Sequence, residues 1–308
     1  AIADPGVKYL YRTNQTNFRK IPGSPIAYWA SQNLIRDFEV GRPLNEYVDP
    51  RQGLATADNN RFLRQWFEVT YTAIKFDAHS IEESVSSRKK WFPYNKGGAY
   101  RKWYGNYDYV VNWENDGYEI KNFKDSNGKV RSRPQNTDYY FREAITWSLI
   151  TSGGFSMRYR KPGSIHDVSG MSAFKKNDKS DLKYVMAIMN TKIGNYTMKM
   201  MNPTINLQVG NVSQFPVIIS DRIRESTDAL VQQLIDSARD DWNVAETSRD
   251  FASQAPLTHI PEHNRNWTVE AAFNQWQQEA QDRFDQLEEH EEEVNRTYTD
   301  MYALQEEV

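Results

Sequence analysis

The stretch RQGLATADNNRFLRQWFEV, residues 51–69, passes abruptly from small and polar residues to large aromatics and arginines. Short Asp and Asn side chains accept hydrogen bonds from the free amides that open a helix, so the run 58–60 predicts a turn and an N-cap. A helix over about 59–68 should follow. We expect its positive dipole end, with Arg61 and Arg64, to face phosphates. The alternative is a capped helix that only buries its aromatics in a core, and both can hold together.

Length and composition restrict the class of protein. The 308 residues suffice for one large domain or two ordinary ones, and we predict two. The chain has no cysteine, which excludes disulfides and thiolate metal sites. It has no apolar run near the roughly 18 residues that span a bilayer, and its start lacks the regions of a signal peptide. We therefore expect a soluble cytoplasmic protein without a membrane partner.

The net charge of −3 conceals a strong asymmetry along the chain. Residues 221–308 hold 21 acidic and 7 basic side chains, which leaves 31 basic and 20 acidic side chains before residue 221. A basic first part favours a polyanion such as nucleic acid, because phosphates dominate affinity for such ligands. An acidic tail favours a protein neighbour or simple solvation.

Hydrophobic spacing predicts a helix over about 25–38, followed by strands and loops over about 70–180. Two aromatic runs flank the pair Asp116-Gly117, which is typical of a tight hairpin turn. A second hairpin is predicted over 144–160, with its turn at the Ser-Gly-Gly run 152–154.

From residue 181 the pattern becomes helical again, with a period near 3.6 over 181–201, ended by an Asn-Pro pair. A short strand is predicted over 205–219. Two long helices follow, over about 220–242 and from about 267 to the end. Apolar residues recur every seven positions in the last helix, as in a coiled coil, at Phe273, Ala280, Leu287, Val294 and Met301.

Motifs for common catalytic centres are missing from the sequence. It has no Walker loop, no G-x-G-x-x-G after a strand and no G-x-S-x-G elbow. His259 and His263 flank Pro261, so they cannot lie on adjacent turns of one regular helix as zinc-protease ligands do. We predict neither a catalytic centre nor a metal site, although an enzyme with an unrecognised site stays an alternative.

The segment RKKWFPYNKGGAYRKWYGN, residues 88–106, mixes basic and aromatic residues without any acid. Cations neutralise phosphates, the Gly97-Gly98 pair allows close approach of backbone amides, and aromatic faces can pack on sugars or unstacked bases. The segment therefore favours nucleic-acid binding, while each single aromatic could equally belong to the core. Its basic residues are Arg88, Lys89, Lys90, Lys96, Arg101 and Lys102, and its aromatics are Trp91, Phe92, Tyr94, Tyr100, Trp103 and Tyr104.

Further polar side chains of the types that read base edges accumulate in the basic part of the chain. Each alone is a weak indication, because Asn and Arg are common in loops. Together they suggest direct readout of guanine or adenine edges. They are Gln52, Asn59, Asn60, Arg131, Arg133, Gln135, Asn136, Arg158 and Arg160.

Several blocks resemble, in order, the C-terminal part of the BREX phage-defence adenine-specific DNA methyltransferases, the PglX-like family. The resemblance covers nearly the whole chain. The blocks are SPIAYWAS (24–31), the stretch 51–69, KWFPYNKGGAYRKWYGN (90–106), ITWSLITSGGFSMRY (145–159), MNPTINLQVGNVSQFPV (201–217), DDWNVAETSRDF (240–251) and EEEVNRTYTDMYALQEEV (291–308).

The resemblance implies a target-recognition region and helical spacer, similar in plan to type IIG enzymes and type I specificity subunits. The Asn-Pro-Pro-aromatic motif of such enzymes is missing, since Asn202-Pro203 is followed by Thr204. The glycine-rich S-adenosylmethionine loop is missing too. The resemblance thus implies a fragment without a cofactor of its own, from an enzyme that uses S-adenosylmethionine. Implied partners are double-stranded DNA, the absent N-terminal methyltransferase domain and other phage-defence proteins.

We predict an α+β protein with a mixed α/β DNA target-recognition domain over 1–219 and a coiled-coil-like spacer over 220–308. The alternative is a protein-interaction module that docks a methyltransferase through its acidic helices without reading DNA. Contacts to the DNA backbone are expected from Arg61, Arg64, Lys89, Lys90, Lys96 and Lys102. Base reading is expected from Asn59, Asn60, Arg101, Arg131, Arg133, Gln135 and Arg158.

Overall fold

The computed structural model describes residues 11–260 and 267–307, in which helices and mixed sheets alternate. The predicted α+β class is confirmed. The strands are β1 (Arg42–Pro43), β2 (Val48–Arg51), β3 (Leu63–Gln65), β4 (Trp91–Asn95), β5 (Tyr109–Asn112), β6 (Ala144–Ser148), β7 (Arg158–Arg160), β8 (Ile165–His166), β9 (Gly170–Lys175) and β10 (Pro216–Val217). The α-helices are α1 (Gln32–Val40), α2 (Asn59–Phe62), α3 (Ile81–Ser86), α4 (Glu114–Lys121), α5 (Leu182–Asn190), α6 (Lys192–Met201), α7 (Val209–Ser213), α8 (Asp221–Asn243) and α9 (Val269–Tyr302).

Two four-stranded sheets divide the molecule into two lobes. The first sheet has the order β2-β9-β6-β7 with antiparallel pairing throughout, and with α1 and α5–α9 it forms the main lobe. The second has the order β3-β5-β4-β8, in which β8 runs parallel to β4, and with α2, α3 and α4 it forms the small lobe. The two-residue strands β1 and β10 pair separately.

The main lobe and both long helices share one hydrophobic core. Val231 of α8 and Tyr298 of α9 are fully buried in the same cluster as Trp147 of β6 and Tyr184 of α5. The rings of Tyr184 and Tyr298 meet edge to face at 5.6 Å, and the Tyr298 hydroxyl donates to the Tyr184 carbonyl at 3.2 Å. The end of α9 is therefore part of the main core. The division at residues 219 and 220 stays a prediction.

The small lobe has its own core around Phe62, Phe92, Val111 and Trp113, all with no exposed surface. Side chains alternate across its sheet, so Leu63, Phe92 and Val111, which lie side by side in the strand register, face this core together. Their neighbours along the strands face the opposite side. That alternation brings Arg64 of β3 and Trp91 of β4 to the outer face of the sheet.

Asp167 lies at the junction of the lobes, directly after β8. Its carboxylate accepts the Tyr94 hydroxyl and the Ser169 amide, both at 2.5 Å, and lies 3.4 Å from the Lys96 ammonium. The preceding His166 is fully buried, and its desolvation lowers its pKa to about 3. A buried carboxylate with several donors fixes the geometry of the turn between β8 and β9.

The predicted helix over 59–68 is wrong beyond its first turn. Helix α2 ends at Phe62, and Leu63–Gln65 extend into β3, which pairs with β5. The hydrogen bonds and packing available along β5 override the helical pattern of the sequence. A single turn of four residues has almost no dipole. The dipole therefore does not support the anion site that the sequence predicts at the start of this helix.

The hairpin predicted at Asp116-Gly117 is wrong as well. Strand β5 is already paired on both edges, with β3 and with β4, so no place remains for a returning strand. The chain instead makes a left-handed turn at Asn115, Asp116 and Gly117, with φ between 50° and 66°. A Cβ at Gly117 would lie 2.5 Å from the Trp113 ring, so this glycine also allows that ring to pack.

Three further elements predicted from the sequence differ from the structure in their boundaries or their type. The first helix, predicted over 25–38, begins later because Ser31 caps it by accepting the Leu34 amide at 3.1 Å. The helix predicted over 181–201 is interrupted at Thr191, which ends α5 and caps α6. The strand predicted over 205–219 is the short helix α7 followed by β10.

The hairpin over 144–160 and the two long helices are confirmed, because β6 pairs antiparallel with β7 and α8 and α9 occupy the predicted ranges. The sevenfold repeat in α9 is buried only at its later positions, where Val294 is covered, while Phe273 is 46% exposed. Among the described residues, none of the helices combines the length and the apolar character that a bilayer crossing requires.

Candidate nucleic-acid interface

The turn before α2 has the cap that its sequence predicts. Asp58 accepts the Arg61 amide at 3.0 Å, and the Thr56 hydroxyl donates to the Asn59 side chain at 2.7 Å. The small residues ahead of the cap serve the fold, because a Cβ on Gly53 would lie 1.8 Å from the carbonyl oxygen of His166. Gly53 is therefore needed for the close packing of this turn on β8.

A second loop lies beside this turn. Residues 123–131 form a hairpin in which the Arg131 amide donates to the Phe123 carbonyl at 2.9 Å. The chain then pairs with the first loop through two hydrogen bonds between Ala55 and Arg133, at 3.0 and 2.8 Å. The structure therefore brings together two segments whose paired residues, Ala55 and Arg133, lie 78 positions apart in the sequence, and both segments contain residues that the sequence predicts to contact DNA.

Arg61 and Arg131 meet on one aromatic ring. Their guanidinium carbons lie 5.0 and 5.4 Å from the centre of the Phe123 ring. Arg61 also donates two hydrogen bonds to Glu119, at 2.9 and 2.7 Å, which fixes its plane. Arg131 has no such anchor among the described residues and is exposed. The shared ring holds two cations side by side at the surface.

Arg64 and Lys90 share a second ring, with their charged groups 5.9 and 5.8 Å from the centre of Trp91. Arg64 also donates to the carbonyl of Asn60 at 2.6 Å, which links this pair to the loop before α2. Basic side chains thus lie in two pairs on the small lobe, one pair at Phe123 and one at Trp91. We name these four residues, together with Lys89 and Arg133, the cationic strip, and its members are Arg61, Arg64, Lys89, Lys90, Arg131 and Arg133.

The strip has few acidic neighbours. Across the described parts of the chain, no carboxylate lies within 4.0 Å of the charged groups of Arg64, Lys90, Arg131 or Arg133, whereas Arg61 is paired with Glu119. Exposed cations without carboxylate partners can exchange water for phosphate at little cost. The strip therefore offers exposed charges that no described carboxylate neutralises at Lys90, Arg131 and Arg133, while Arg64 and Lys89 are half-buried and donate to backbone carbonyls.

The polar residues predicted to read bases beside the strip differ in exposure and in the hydrogen bonds that they already make. Asn59 and Asn60 are exposed at the turn before α2. Gln135 is half-buried and donates to the carbonyl of Gly53 at 3.0 Å, so it ties the two loops together. Asn60 can reach a ligand as it stands, whereas Asn59 and Gln135 would each have to give up a hydrogen bond, to Thr56 and to Gly53.

The remaining predicted contacts lie outside the strip. Lys96 faces Asp167, Arg101 stacks on Trp242 of α8 at 4.8 Å, and Lys102 pairs with Glu291 of α9 at 2.7 Å. The segment 88–106 is therefore split between two surfaces. Lys96 is paired with Asp167, and the acidic helices cover Lys102, so both lysines are less available to phosphates than Lys90 is.

Arg158 requires a clear correction, because its side chain has no exposed surface. Its guanidinium donates to the Ser148 hydroxyl at 3.3 Å and to the Arg101 carbonyl at 3.4 Å, and burial lowers its pKa to about 10. Arg160 beside it is likewise buried, stacked 4.0 Å from the centre of Tyr107. Neither arginine can reach a base from this position.

The aromatic residues of 88–106 are mostly core residues. Phe92, Tyr94, Trp103 and Tyr104 are buried, which excludes them as stacking platforms in this conformation. Tyr100 is exposed and Trp91 is half-buried beneath the strip. The expectation of an alternating row of cations and aromatic faces is correct only around Trp91.

Two groups of residues were missed by sequence reasoning. Lys124 and Lys129 stand exposed on the hairpin beside Arg131, and the dense run of basic residues there could have indicated them. Arg249, in the acidic part of the chain, stacks on Phe76 and Tyr107 at 4.9 and 5.4 Å and so connects the tail to the small lobe. Nothing in the local sequence of Arg249 indicates that contact.

The described residues contain no cluster of three or more His, Asp or Glu side chains that could hold a metal ion. Of the histidine pair considered above, His263 and the intervening Pro261 lie outside the described residues.

Comparison with known proteins gives the following relatives. No protein-family model matches the chain. It is 45% identical over 312 aligned residues to the adenine-specific methyltransferase PglX of Lacticaseibacillus casei (strain Zhang), covering 100% of this chain and 25% of that protein. It is 38% identical over 249 residues to the adenine-specific methyltransferase BrxX of Escherichia coli O9:H4 (strain HS), covering 80% of this chain and 19% of that protein. The chain spans a quarter or less of the length of these relatives, and its similarity to adenine-specific methyltransferases is confirmed.

Proposed function

We propose that this chain binds double-stranded DNA and selects the sequence on which an adenine-specific methyltransferase acts, within a BREX-type phage-defence system. The observation that carries the proposal is the cationic strip, which places free basic groups beside exposed Asn59 and Asn60. The relatives, whose names describe adenine-specific methyltransferases, support DNA as the ligand. The methyl transfer itself would belong to another part of the enzyme.

Different parts of the strip suit different contacts. Arg64, Lys89 and Lys90 lie on or beside the sheet, where they would hold phosphates and set the position of the duplex. Arg131 and Arg133, on the loop beside the α2 turn, would enter a groove together with Asn59 and Asn60. Arginine forms bidentate contacts with guanine and asparagine with adenine, so this loop pair is the proposed reading edge.

The Asn-Pro pair of this chain does not fit a flipped adenine. Asn202, which belongs to the sole Asn-Pro pair of the sequence, uses its side chain to bind its own loop. It accepts the Thr204 hydroxyl at 2.7 Å and donates to the Asn206 carbonyl at 2.6 Å. With its amide group occupied in this way, Asn202 is not free to hold an adenine, and no catalytic step is assigned to this chain.

The proposal can be tested by the salt dependence of binding to a fluorescent duplex. Each phosphate contact contributes about −0.9 to the slope of log K against log salt, so the double variant Arg64→Ala with Lys90→Ala should reduce the slope by about 2. The matched control is Lys176→Ala with Lys179→Ala, which removes two exposed charges from the main lobe. An equal loss in the control would mean that the strip is not the binding surface.

Base reading needs a separate measurement, because phosphate contacts carry no sequence information. Selection from random duplexes should yield a defined consensus for the unchanged chain, and Arg131→Ala should relax one or more of its positions at a cost of about 1–3 kcal/mol. If the chain shows no affinity for any duplex even at about 50 mM salt, the proposal fails and the interaction-module alternative takes its place.

A further inference from the structure

A short hairpin with basic side chains stands at the surface of the small lobe. At its base the Phe123 ring packs against the small core, and the Arg131 amide donates to the Phe123 carbonyl at 2.9 Å. Beyond this pair Lys124 lies opposite Val130 on the two antiparallel arms. We name residues 123–131 the basic hairpin.

The tip of the basic hairpin is held by one carboxylate. Asp125 accepts the backbone amides of Asn127 and Lys129, at 2.9 and 3.0 Å. Its own amide donates to the Lys129 carbonyl at 2.9 Å, and its carbonyl accepts the Gly128 amide at 3.0 Å. These four hydrogen bonds order the turn, so a side chain at the tip has a defined position before any ligand binds.

The side chains at the tip are available to a ligand. All residues from 126 to 131 are exposed, and so is Lys124. Asn127 uses only its backbone amide in the turn, and no described residue hydrogen-bonds to its side chain. Within the described ranges, no carboxylate lies within 4.0 Å of the ammonium groups of Lys124 and Lys129. The basic hairpin therefore presents an amide group together with two unpaired cations, which suits a base edge between phosphates.

The dimensions of the basic hairpin fit one groove of one kind of duplex. Its two arms lie roughly 4.8 Å apart, and the chain from Phe123 to Asn127 can reach at most about 13 Å. The major groove of B-form DNA, about 12 Å wide and 8.5 Å deep, admits such a two-stranded ribbon, whereas two backbones with their side chains exceed a minor groove about 6 Å wide. The major groove of A-form RNA is too narrow for side chains to read.

We propose that the basic hairpin enters the major groove of DNA, where the Asn127 amide group reads an adenine edge while Lys124 and Lys129 contact phosphates. The inference rests on the proposed function and adds a reading residue that the loop pair described there does not contain. Asparagine forms two hydrogen bonds with adenine, at N6 and N7, and both atoms face the major groove. Asp125 is a positioning residue, because it holds the turn that carries Asn127.

The test combines selection from random duplexes with a modified base. Selection with the unchanged chain defines a consensus, and Asn127→Ala should relax one adenine in it by roughly 5- to 150-fold. 7-Deazaadenine at that position lacks the N7 acceptor, so it should weaken binding of the unchanged chain at least about fivefold and binding of Asn127→Ala less than about twofold. Asn274→Ala, at an exposed position of α9, is the matched control and should keep the full consensus.

Further variants separate the position of the amide group from the charge of the hairpin. Asp125→Ala should relax the same adenine as Asn127→Ala, whereas Asp125→Asn keeps an acceptor for the turn amides and should retain the consensus. These two variants have equal charge. Lys124→Ala with Lys129→Ala should leave the consensus unchanged and reduce the slope of log K against log salt by about 2. Thermal unfolding, with an unchanged midpoint expected for these exposed positions, verifies that each variant is folded.

The inference alone is overturned if the unchanged chain selects a consensus that Asn127→Ala leaves intact, or if 7-deazaadenine weakens both proteins equally. Equal competition by double-stranded RNA of the same sequence also overturns it, because the hairpin cannot enter that groove. An intact consensus in Asp125→Ala overturns the positioning role. If the unchanged chain binds no duplex, the proposed function fails together with the inference, so the two failures give different results.

Discussion

Basic residues of one continuous segment are exposed in the small lobe but paired where the segment meets the acidic helices. Lys90, in the small lobe, lies over Trp91 with its ammonium group exposed. Lys102, only twelve positions later, is paired with Glu291 of α9 at 2.7 Å. The comparison teaches that the charge of a segment does not determine the charge of a surface. What matters is which elements the fold places over each side chain.

The largest expected effect concerns the packing of the tail. Tyr298→Ala should lower the free energy of unfolding by about 3–5 kcal/mol, because it removes a fully buried ring from the core shared by α5 and α9. Phe273→Ala, on the open half of the same helix, should cost less than about 0.5 kcal/mol. Urea denaturation followed by circular dichroism measures both. If Tyr298→Ala had a similarly small effect, α9 would be a separable spacer.

The next effect concerns the junction between the lobes. Asp167→Ala should cost about 1–3 kcal/mol, because it leaves the Ser169 amide without its acceptor and leaves the buried Tyr94 hydroxyl only the longer hydrogen bond to the Leu54 carbonyl at 3.0 Å. Asp138→Ala, an exposed carboxylate in the small lobe, is the matched control and should be nearly neutral. Equal midpoints of urea denaturation for the two variants would show that Asp167 does not hold the lobes together.

A smaller effect depends on pH. Burial raises the pKa of Asp37 from its ordinary value of 3.8 to about 7. Between these values the folded protein holds a proton that the unfolded chain does not, so the contribution of Asp37 to stability falls as pH rises from about 4 to 7. Asp37→Asn should therefore raise Tm by about 2 °C at pH 8 and by less at pH 5. A gain that is equal at both pH values would contradict the buried, protonated carboxyl.

The smallest expected effect is the change in DNA affinity when a paired lysine is removed, compared with the loss of an exposed, unpaired one. Lys102→Ala should change DNA affinity by less than about twofold, because Glu291 already neutralises this lysine. Lys90→Ala should weaken binding more and reduce the salt slope by about 1. Fluorescence anisotropy with one duplex compares the two variants directly. Equal losses would mean that the pairing with α9 does not withdraw Lys102 from DNA.

Local chemistry explains which structural predictions are correct. The cap at Asp58 depends on a side chain and an amide three positions apart, and the helix predicted from residue 220 depends on spacing within one segment. Both can be read from neighbouring residues. The Asp116-Gly117 pair likewise requires positive φ as expected, but its hairpin fails because strands from elsewhere occupy both edges of β5.

In the candidate site, too, the local sequence indicates residue types but not the contacts between distant segments. The residue types of Arg61, Arg64, Lys90 and Arg131 indicated anion binding, and their meeting on Phe123 and Trp91 depends on contacts between distant segments. The types of Lys102 and Arg158 indicated the same role, yet one is paired with α9 and the other is buried.

The sequence by itself determined the α+β class, the charge asymmetry, the long helices and the likeness to adenine-specific methyltransferases, because composition, periodicity and similarity are properties of the chain in order. The tertiary structure alone decided which basic groups are free. Exposure of a charge depends on the long-range packing of sheets and helices, and no local pattern specifies which distant carboxylate or ring will lie against it.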